Sequence, residues 1–241
     1  RTGQYVFISS ASAYRKPVQA TPITERTPLE NPFWQYSRDK IACETLLRQQ
    51  SGLRHTIVRP SHTVRTGVPV NVGDFNTVVA RMLAGKPVIA TGDGTSLWTL
   101  TRSVDLAAPF VRLLGNPDAI DEDFHITNDR AFTWDQIHAA VGRAFGAPEV
   151  VTVHVPSETL VRYRPEWAGP LLGDKSWSVV FDNSKVKSVA GDFACADDLD
   201  TILAESVRHV KREPALPPSA AALAEDALFD RIAAEQSALG Q

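Results

Sequence analysis

Tyr36 and Lys40 stand four residues apart in Tyr36-Ser37-Arg38-Asp39-Lys40, and Ser10 lies in the serine-rich stretch Ser9-Ser10-Ala11-Ser12-Ala13-Tyr14. On a helix, that i,i+4 spacing puts the phenol and the ammonium on one face, within reach of a common ligand. The ammonium favours ionisation of the phenol and draws its pKa toward working pH. A tyrosine prepared in this way can give or take a proton at a carbonyl or hydroxyl carbon. Ser10 follows the apolar run Tyr5-Val6-Phe7-Ile8, which places it at a strand's carboxyl end, where open α/β sheets bind ligands. Its hydroxyl can then hydrogen-bond the same substrate oxygen. Alone, a Tyr-x-x-x-Lys pair also suits a solvated helix face, so the surrounding elements must decide.

Those elements alternate. The run at residues 5–9 reads as a strand buried on both faces, as in a parallel sheet. A Pro- and Thr-rich stretch follows, and Asn31-Pro32 then opens a helix reaching about Gln50. Residues 54–59 read as a second strand, ended by Pro60, and residues 75–85 as a helix. Val88-Ile89-Ala90 is a short strand before the turn Gly92-Asp93-Gly94. A helix over 104–114, a strand at 124–127 and a Thr133-capped helix over 134–145 come next. Beyond them lie a strand at 150–155, a helix at 157–163, a strand at 178–181, a helical turn from Ser184 and a helix over 197–212. Pro214–Pro218 reads as a linker and 219–239 as an Ala-rich tail helix. Strands alternating with helices at this spacing predict an α/β fold.

Composition narrows the function classes. The 241 residues carry 25 Lys+Arg against 28 Asp+Glu, a net charge of −3, which argues against nucleic acid or a membrane surface as partner. No apolar run approaches the roughly 20 residues of a membrane span. Two cysteines, Cys43 and Cys195, form no C-x-x-C pair, and the six histidines show no metal-type spacing, so no metal is expected and a reducing cytoplasm is the default compartment.

In their order along the chain, these segments resemble the extended short-chain dehydrogenase/reductases, the NAD-dependent epimerase/dehydratase family. Phe7-Ile8-Ser9-Ser10-Ala11-Ser12-Ala13-Tyr14 is similar to that family's serine strand, and Tyr36 to Lys40 to its active-site helix. Ile57-Val58-Arg59-Pro60-Ser61-His62-Thr63 resembles the following strand and loop. Gly92-Asp93-Gly94 through Val104-Asp105-Leu106-Ala107 resembles a later family segment, and so does Phe181-Asp182-Asn183-Ser184-Lys185. The resemblance implies a Rossmann-type doubly wound parallel sheet with a smaller α+β substrate lobe. Residues 1–70 would be the C-terminal half of the dinucleotide-binding domain, with the strand near 124–127 returning to its sheet. Residues 71–212 would be mainly substrate lobe, and 213–241 a linker and tail helix. By the same resemblance, Tyr36 is the acid/base, Lys40 tunes it and holds the nicotinamide ribose of NAD or NADP, and Ser10 orients the substrate oxygen. Ser9 and the stretch Pro60, Ser61, His62 and Thr63 would face the cofactor; Ala11, Ser12 and Trp98 would face a small-molecule substrate. The activity implied is oxidation, reduction, epimerisation or dehydration at a secondary alcohol or ketone. The alternative is a non-catalytic or RNA-binding protein on the same scaffold, since the late segment also resembles chloroplast stem-loop RNA-binding members.

Two departures qualify that reading. The glycine-rich turn that would hold the cofactor pyrophosphate is absent from the sequence, and Gly92-Asp93-Gly94 is no substitute because it lacks the third glycine. With the abrupt start of the chain at Arg1, this predicts a fragment holding only the nicotinamide half of the site. The outer edge of its first strand is then expected to be bare, or to be covered by a second copy of the chain or by the missing N-terminal half. Trp98 stands where sugar-nucleotide enzymes of the family carry an arginine, and an indole cannot clamp a diphosphate. A nucleotide-sugar substrate is therefore in doubt.

Overall fold

Val, Ile and aromatic side chains suit a pleated backbone, and in the computed structural model the first apolar run forms strand β1 (Tyr5–Ile8). The structure describes residues 3–213 and 217–239. The first of two compact units comprises the chain up to Thr63, Leu97–Ala131 and Ala168–Asp197. In it, β1 pairs in parallel with β2 (His55–Pro60), and β2 pairs in parallel with the strand Glu122–Ile126. Parallel neighbours need a crossover, and helix α1 (Gln35–Arg48) lies in the connection from β1 to β2. One core gathers Val58, Phe124 and Ile126 of the sheet with Leu113, Ala119, Val186 and Ala190. These last come from or beside the helices Ser103–Leu113 and Ser184–Ala190.

Because side chains alternate along a strand, Arg59 points away from the face of its neighbour Val58. There its guanidinium is 1% exposed and meets the fully buried Glu44 of α1, Nε to Oε1 at 2.9 Å and Nη2 to Oε2 at 2.7 Å. Nη1 reaches Asp123 Oδ2 at 2.6 Å and donates to Tyr14 Oη at 3.1 Å. Burial alone would favour a neutral guanidine, but the hydrogen bond and charge of Glu44, with Asp123, raise the Arg59 pKa above its ordinary value. The cluster continues to His125. Its Nε2 lies 2.8 Å from the Asp182 carbonyl, which can only accept, so Nε2 carries the proton. Burial lowers the His125 pKa, leaving a neutral ring whose Nδ1 accepts from Tyr14 Oη at 3.0 Å. The helix α1 buries few side chains, chiefly Ser37, Glu44 and Leu47, so the Glu44 pair is its main tie to the sheet.

The second unit comprises Val64–Ser96, Phe132–Trp167 and the chain from Asp198. Its two parallel strands, Val88–Thr91 and Thr152–Val155, pair Val88 with Thr152. The helix Trp134–Phe145 starts at a Thr133/Gln136 capping box and stops at Gly146 in the left-handed region (φ 78°), a conformation that costs glycine little. The tail helix Ala220–Leu239 buries Phe229 and Ile232. Arg81, itself buried, binds Asp226 and Asp230 of that helix, and Lys86 reaches the same two carboxylates at 2.8 and 2.9 Å. No described helix is long and apolar enough to cross a membrane.

Four expectations are corrected. β1 is not buried on both faces: Tyr5 and Ile8 are 46% and 44% exposed, because among the described residues β1 has a ladder partner on one side only. Residues 178–181 form no regular strand. Their backbone bonds go to two different segments, Val179 N to Leu97 O and Ile23 N to Val180 O, with an isolated bridge between Ile23 and Phe181. The helix after Asn31 starts at Gln35, because the Asn31 side chain takes the N–H groups of Phe33 and Trp34. Beyond the expected return of the strand near 124–127, the first compact unit takes all of Leu97–Ala131 and also Ala168–Asp197 from the stretch 71–212. Of the expected linker, residues 214–216 lie outside the described residues.

Removing one partner of a buried ion pair strands the other charge, at a cost of about 3–5 kcal/mol. Glu44→Ala is therefore expected to lower unfolding stability by about 3 kcal/mol, since Asp123 still faces Arg59. Urea titration measures it, and a loss below about 1 kcal/mol would show that the pair does not hold α1.

Candidate active site

The chain leaves β1 through Ser9, whose N–H donates to Val58 O at 2.7 Å, and enters a 3-10 turn, Ala11–Ala13, capped by Ser10. Ser10 Oγ accepts from Ser12 N at 3.2 Å and shares a proton with Ser12 Oγ at 2.9 Å. Ser37, buried on α1, donates its hydroxyl to Ser12 Oγ at 2.8 Å. Three hydroxyls thus run in series from α1 to the strand end. Buried Asn31 braces the same place, donating to Ser12 O at 2.8 Å and to Gly173 O at 2.7 Å. Gly173 is needed at this approach, since a Cβ there would sit 2.7 Å from Trp34 Cβ.

Tyr36, next to Ser37, is 44% exposed, with its ring 5.0 Å from that of Trp34. Lys40, one turn on, donates from Nζ to Ile8 O at 2.9 Å. That ammonium lies 5.6 Å from the Tyr36 ring centre and 5.2 Å from that of Phe7, so one cation spans the end of β1 and the face of α1.

A cavity of about 260 Å³ opens beside these groups. Ser10, Ala11, Ser12 and Tyr36 line it, with Pro60, Ser61, His62 and Trp98. Trp98 is buried, and its Nε1–H donates to His62 Nδ1 at 3.2 Å, which leaves the proton of the neutral ring on Nε2. Burial, with the positive charge of Lys175 second, pushes the His62 pKa down to about 3, so the ring is neutral at working pH. Asp174, also on the lining, lies 3.7 Å from Nζ of the fully buried Lys16. Burial raises the Asp174 pKa against the pull of Lys16, and lowers that of Lys16 against the pull of Asp174.

Of the residues singled out from sequence, Ser10, Ala11, Ser12, Tyr36, Pro60, Ser61, His62 and Trp98 share the cavity. Lys40 lies outside its lining and faces the end of β1. Ser9 does not line it either: it is buried in the ladder, and its hydroxyl has no partner. Thr63 is exposed and also off the lining. Trp34, Asp174, Lys175, Val179 and Phe181 complete the wall and were not foreseen. The aromatic pair Trp34 and Tyr36 at the start of α1 was the one available signal. Nothing local marks Asp174 and Lys175, which reach the cavity from more than 130 residues away in sequence.

Residues 1–127 match the model of the NAD dependent epimerase/dehydratase family. Among characterised proteins, the chain is 28% identical over 189 residues to 2'-dehydrokanamycin reductase of Streptomyces kanamyceticus, covering 73% of this chain and 51% of the relative. It is 32% identical over 155 residues to the chloroplast stem-loop binding protein of 41 kDa b of Arabidopsis thaliana, covering 63% of this chain and 38% of the relative. Among solved structures it is similar to a UDP-glucuronic acid 4-epimerase from Bacillus cereus in complex with UDP-glucuronic acid and NAD. That likeness has a TM-score of 0.69 and 18% identity, over 87% of this chain and 62% of the epimerase. A UDP-glucose 4-epimerase from Thermotoga maritima gives a TM-score of 0.63 at 18% identity, over 87% and 63%. The chain thus spans about half the length, or less, of the characterised relatives it matches, and its fold is that of the Rossmann-type epimerases. With more than half of its residues matching the family model, the chain belongs to the NAD dependent epimerase/dehydratase family.

Proposed function

We propose that this protein is an NAD-dependent oxidoreductase-type enzyme acting at a secondary alcohol or ketone, with Ser10, Tyr36 and Lys40 as its working groups. The observation that carries the reading is that Ser10 and Tyr36, from separate elements, line one cavity at the carboxyl end of the sheet. The hydroxyl series adds a direction. Ser37 donates to Ser12; when Ser12 passes its own proton to Ser10, the Ser10 proton is left for an oxygen in the cavity. Ser10 then orients and polarises a substrate carbonyl, and Tyr36 delivers or removes the proton on that oxygen. Lys40 is fixed by Ile8 O with its ammonium over the Tyr36 ring.

The residues present fit the nicotinamide end of the cofactor. The Tyr36 phenol shares the cavity with Pro60, Ser61 and His62, whose walls are polar and apolar, and the Lys40 ammonium lies on the same helical face against the end of β1. NAD, if held there, would supply or accept the hydride at the substrate carbon. Lys40 would hold the ribose, and Pro60, Ser61 and His62 would lie along the ring. The sequence has no glycine-rich turn for the pyrophosphate. The partner proposed is a small molecule: a net charge of −3 gives no excess of cations for RNA phosphates.

Two outcomes follow. In a protein carrying the glycine-rich turn in addition to this chain, Tyr36→Phe is expected to lower kcat at least about 100-fold with cofactor affinity little changed. Normal turnover in that variant would remove Tyr36 from the mechanism. The 241-residue chain by itself is expected to bind NAD weakly, with a Kd of about 1 mM or above, because half the contacts are lost while the ordering cost stays. Micromolar affinity by titration calorimetry would show that the glycine turn is dispensable.

A further inference from the structure

His62 and Trp98 meet because two short strands pair, His62–Val64 with Leu100–Arg102, and Trp98 stands just before the second. One segment pins the backbone on both sides of the indole. Leu97 N–H donates to Ser178 Oγ at 3.0 Å, Val179 N–H to Leu97 O at 2.8 Å, and Thr99 Oγ1 to Val179 O at 2.7 Å. Trp98 itself is 2% exposed, and its ring stands nearly perpendicular to that of His62, at 86°. Its Nε1–H donates to His62 Nδ1 at 3.2 Å. An indole N–H can only donate, so Nδ1 accepts and the neutral ring keeps its proton on Nε2. Among the described residues no acceptor meets that Nε2–H, while the ring lines the 260 Å³ cavity. A ligand there meets polar groups from three segments: Ser10 after β1, Tyr36 on α1 and His62 after β2.

We propose that His62 is a specificity-determining residue whose Nε2–H donates to a second oxygen of the substrate, apart from the reacting one, and that Trp98 is the positioning residue that keeps the proton there. The cavity then selects small ketones and alcohols that carry a further hydroxyl or ether oxygen. The inference rests on the oxidoreductase reading for which oxygen reacts, but not for the hydrogen bond itself.

A free imidazole recognises little, because either nitrogen can donate or accept. With Nδ1 occupied, recognition runs one way. An acceptor oxygen satisfies the N–H, a methylene leaves it desolvated without a partner, and a protonated amine offers it nothing. Sites built around such a buried donor reject analogues that lack the matching oxygen. The ring also stays neutral at working pH, since burial, with the charge of Lys175 second, pushes its pKa down to about 3. Trp98, which is no phosphate clamp, thereby has a chemical task at the cavity wall.

Two measurements on this chain test the proposal. Long-range proton–nitrogen NMR on isotope-labelled histidine should show the His62 proton on Nε2. It should also show an added Nδ1–H population in Trp98→Phe, which keeps an aromatic ring but has no donor. The second measurement compares the binding of methoxyacetone and methyl propyl ketone, which share one shape and differ by an ether oxygen in place of a methylene. The ratio of their affinities is expected to fall about fivefold in His62→Leu, the range of one hydrogen bond. His62→Gln should keep the ratio, because its amide can accept from Trp98 and still donate to the ligand. Trp98→Phe should lower the ratio when His62 is present and leave it unchanged in His62→Leu. An equal change in both backgrounds would make Trp98 a packing residue and overturn its part. A ratio that survives His62→Leu, a proton on Nδ1 in the unaltered chain, or no binding of either ketone up to tens of millimolar would overturn the proposal. So would an affinity for nicotinamide that is lost in His62→Leu and restored in His62→Gln, which would give the N–H to the cofactor. In a protein that also carries the glycine-rich turn, normal turnover of Tyr36→Phe with the ratio intact would sink the oxidoreductase reading alone. Turnover lost in Tyr36→Phe, with a ratio indifferent to His62, would sink the present proposal alone.

Discussion

Arg59 carries a permanent positive charge in the middle strand of a three-stranded sheet, shielded from water, and the placement of α1 follows from how that charge is met. A buried guanidinium without carboxylates would cost several kcal/mol. Glu44 supplies a two-pronged contact from α1, Asp123 a second from the next strand, and Tyr14 a third from the chain after β1. The helix gains little from apolar burial, since Leu47 is the one large apolar side chain it buries. Its position is set by charge geometry. Such a pair adds little net stability over a well-packed apolar core, yet it accepts only one register of the helix on the sheet.

That register matters because Lys40 and Tyr36, the groups proposed to carry the chemistry, sit one and two turns earlier on the same helix. Glu44 and Lys40 are four residues apart, as are Lys40 and Tyr36, so all three share one side of α1. Fixing Glu44 on Arg59 brings Lys40 to the carbonyl of Ile8 and sets Ser37 against Ser12. The hydroxyl series and the ammonium are therefore downstream consequences of one ion pair. Asn31 and Gly173 perform the corresponding task at the helix's amino end, where Trp34 packs against the chain that carries Asp174 and Lys175.

What could be read in the sequence was whatever local chemistry determines. The capping box at Thr133, the stop at Gly146 and the apolar run of β1 each depend on neighbours within a few residues. Ser10 and Tyr36 were legible because their spacing and order resemble a family pattern. Residues 178–181 misled because apolar extended chain looks the same whether it joins a ladder or bonds to two separate segments. Asp174 and Lys175 carry no local signature, and their meaning arises only where the chain returns to Trp34. Glu44 was equally silent. A glutamate inside a helix normally faces water, and only the tertiary position of Arg59 makes this one a buried anchor.

Amide hydrogen exchange on Glu44→Gln tests the anchor most directly, because it reads α1 separately from the sheet. Glutamine keeps the shape and removes the charge. If Arg59 and Glu44 fix the helix, the α1 amides should lose protection by about tenfold or more relative to those of β2 and the strand Glu122–Ile126. Unchanged protection in α1, or an equal loss across helix and sheet, would contradict the account.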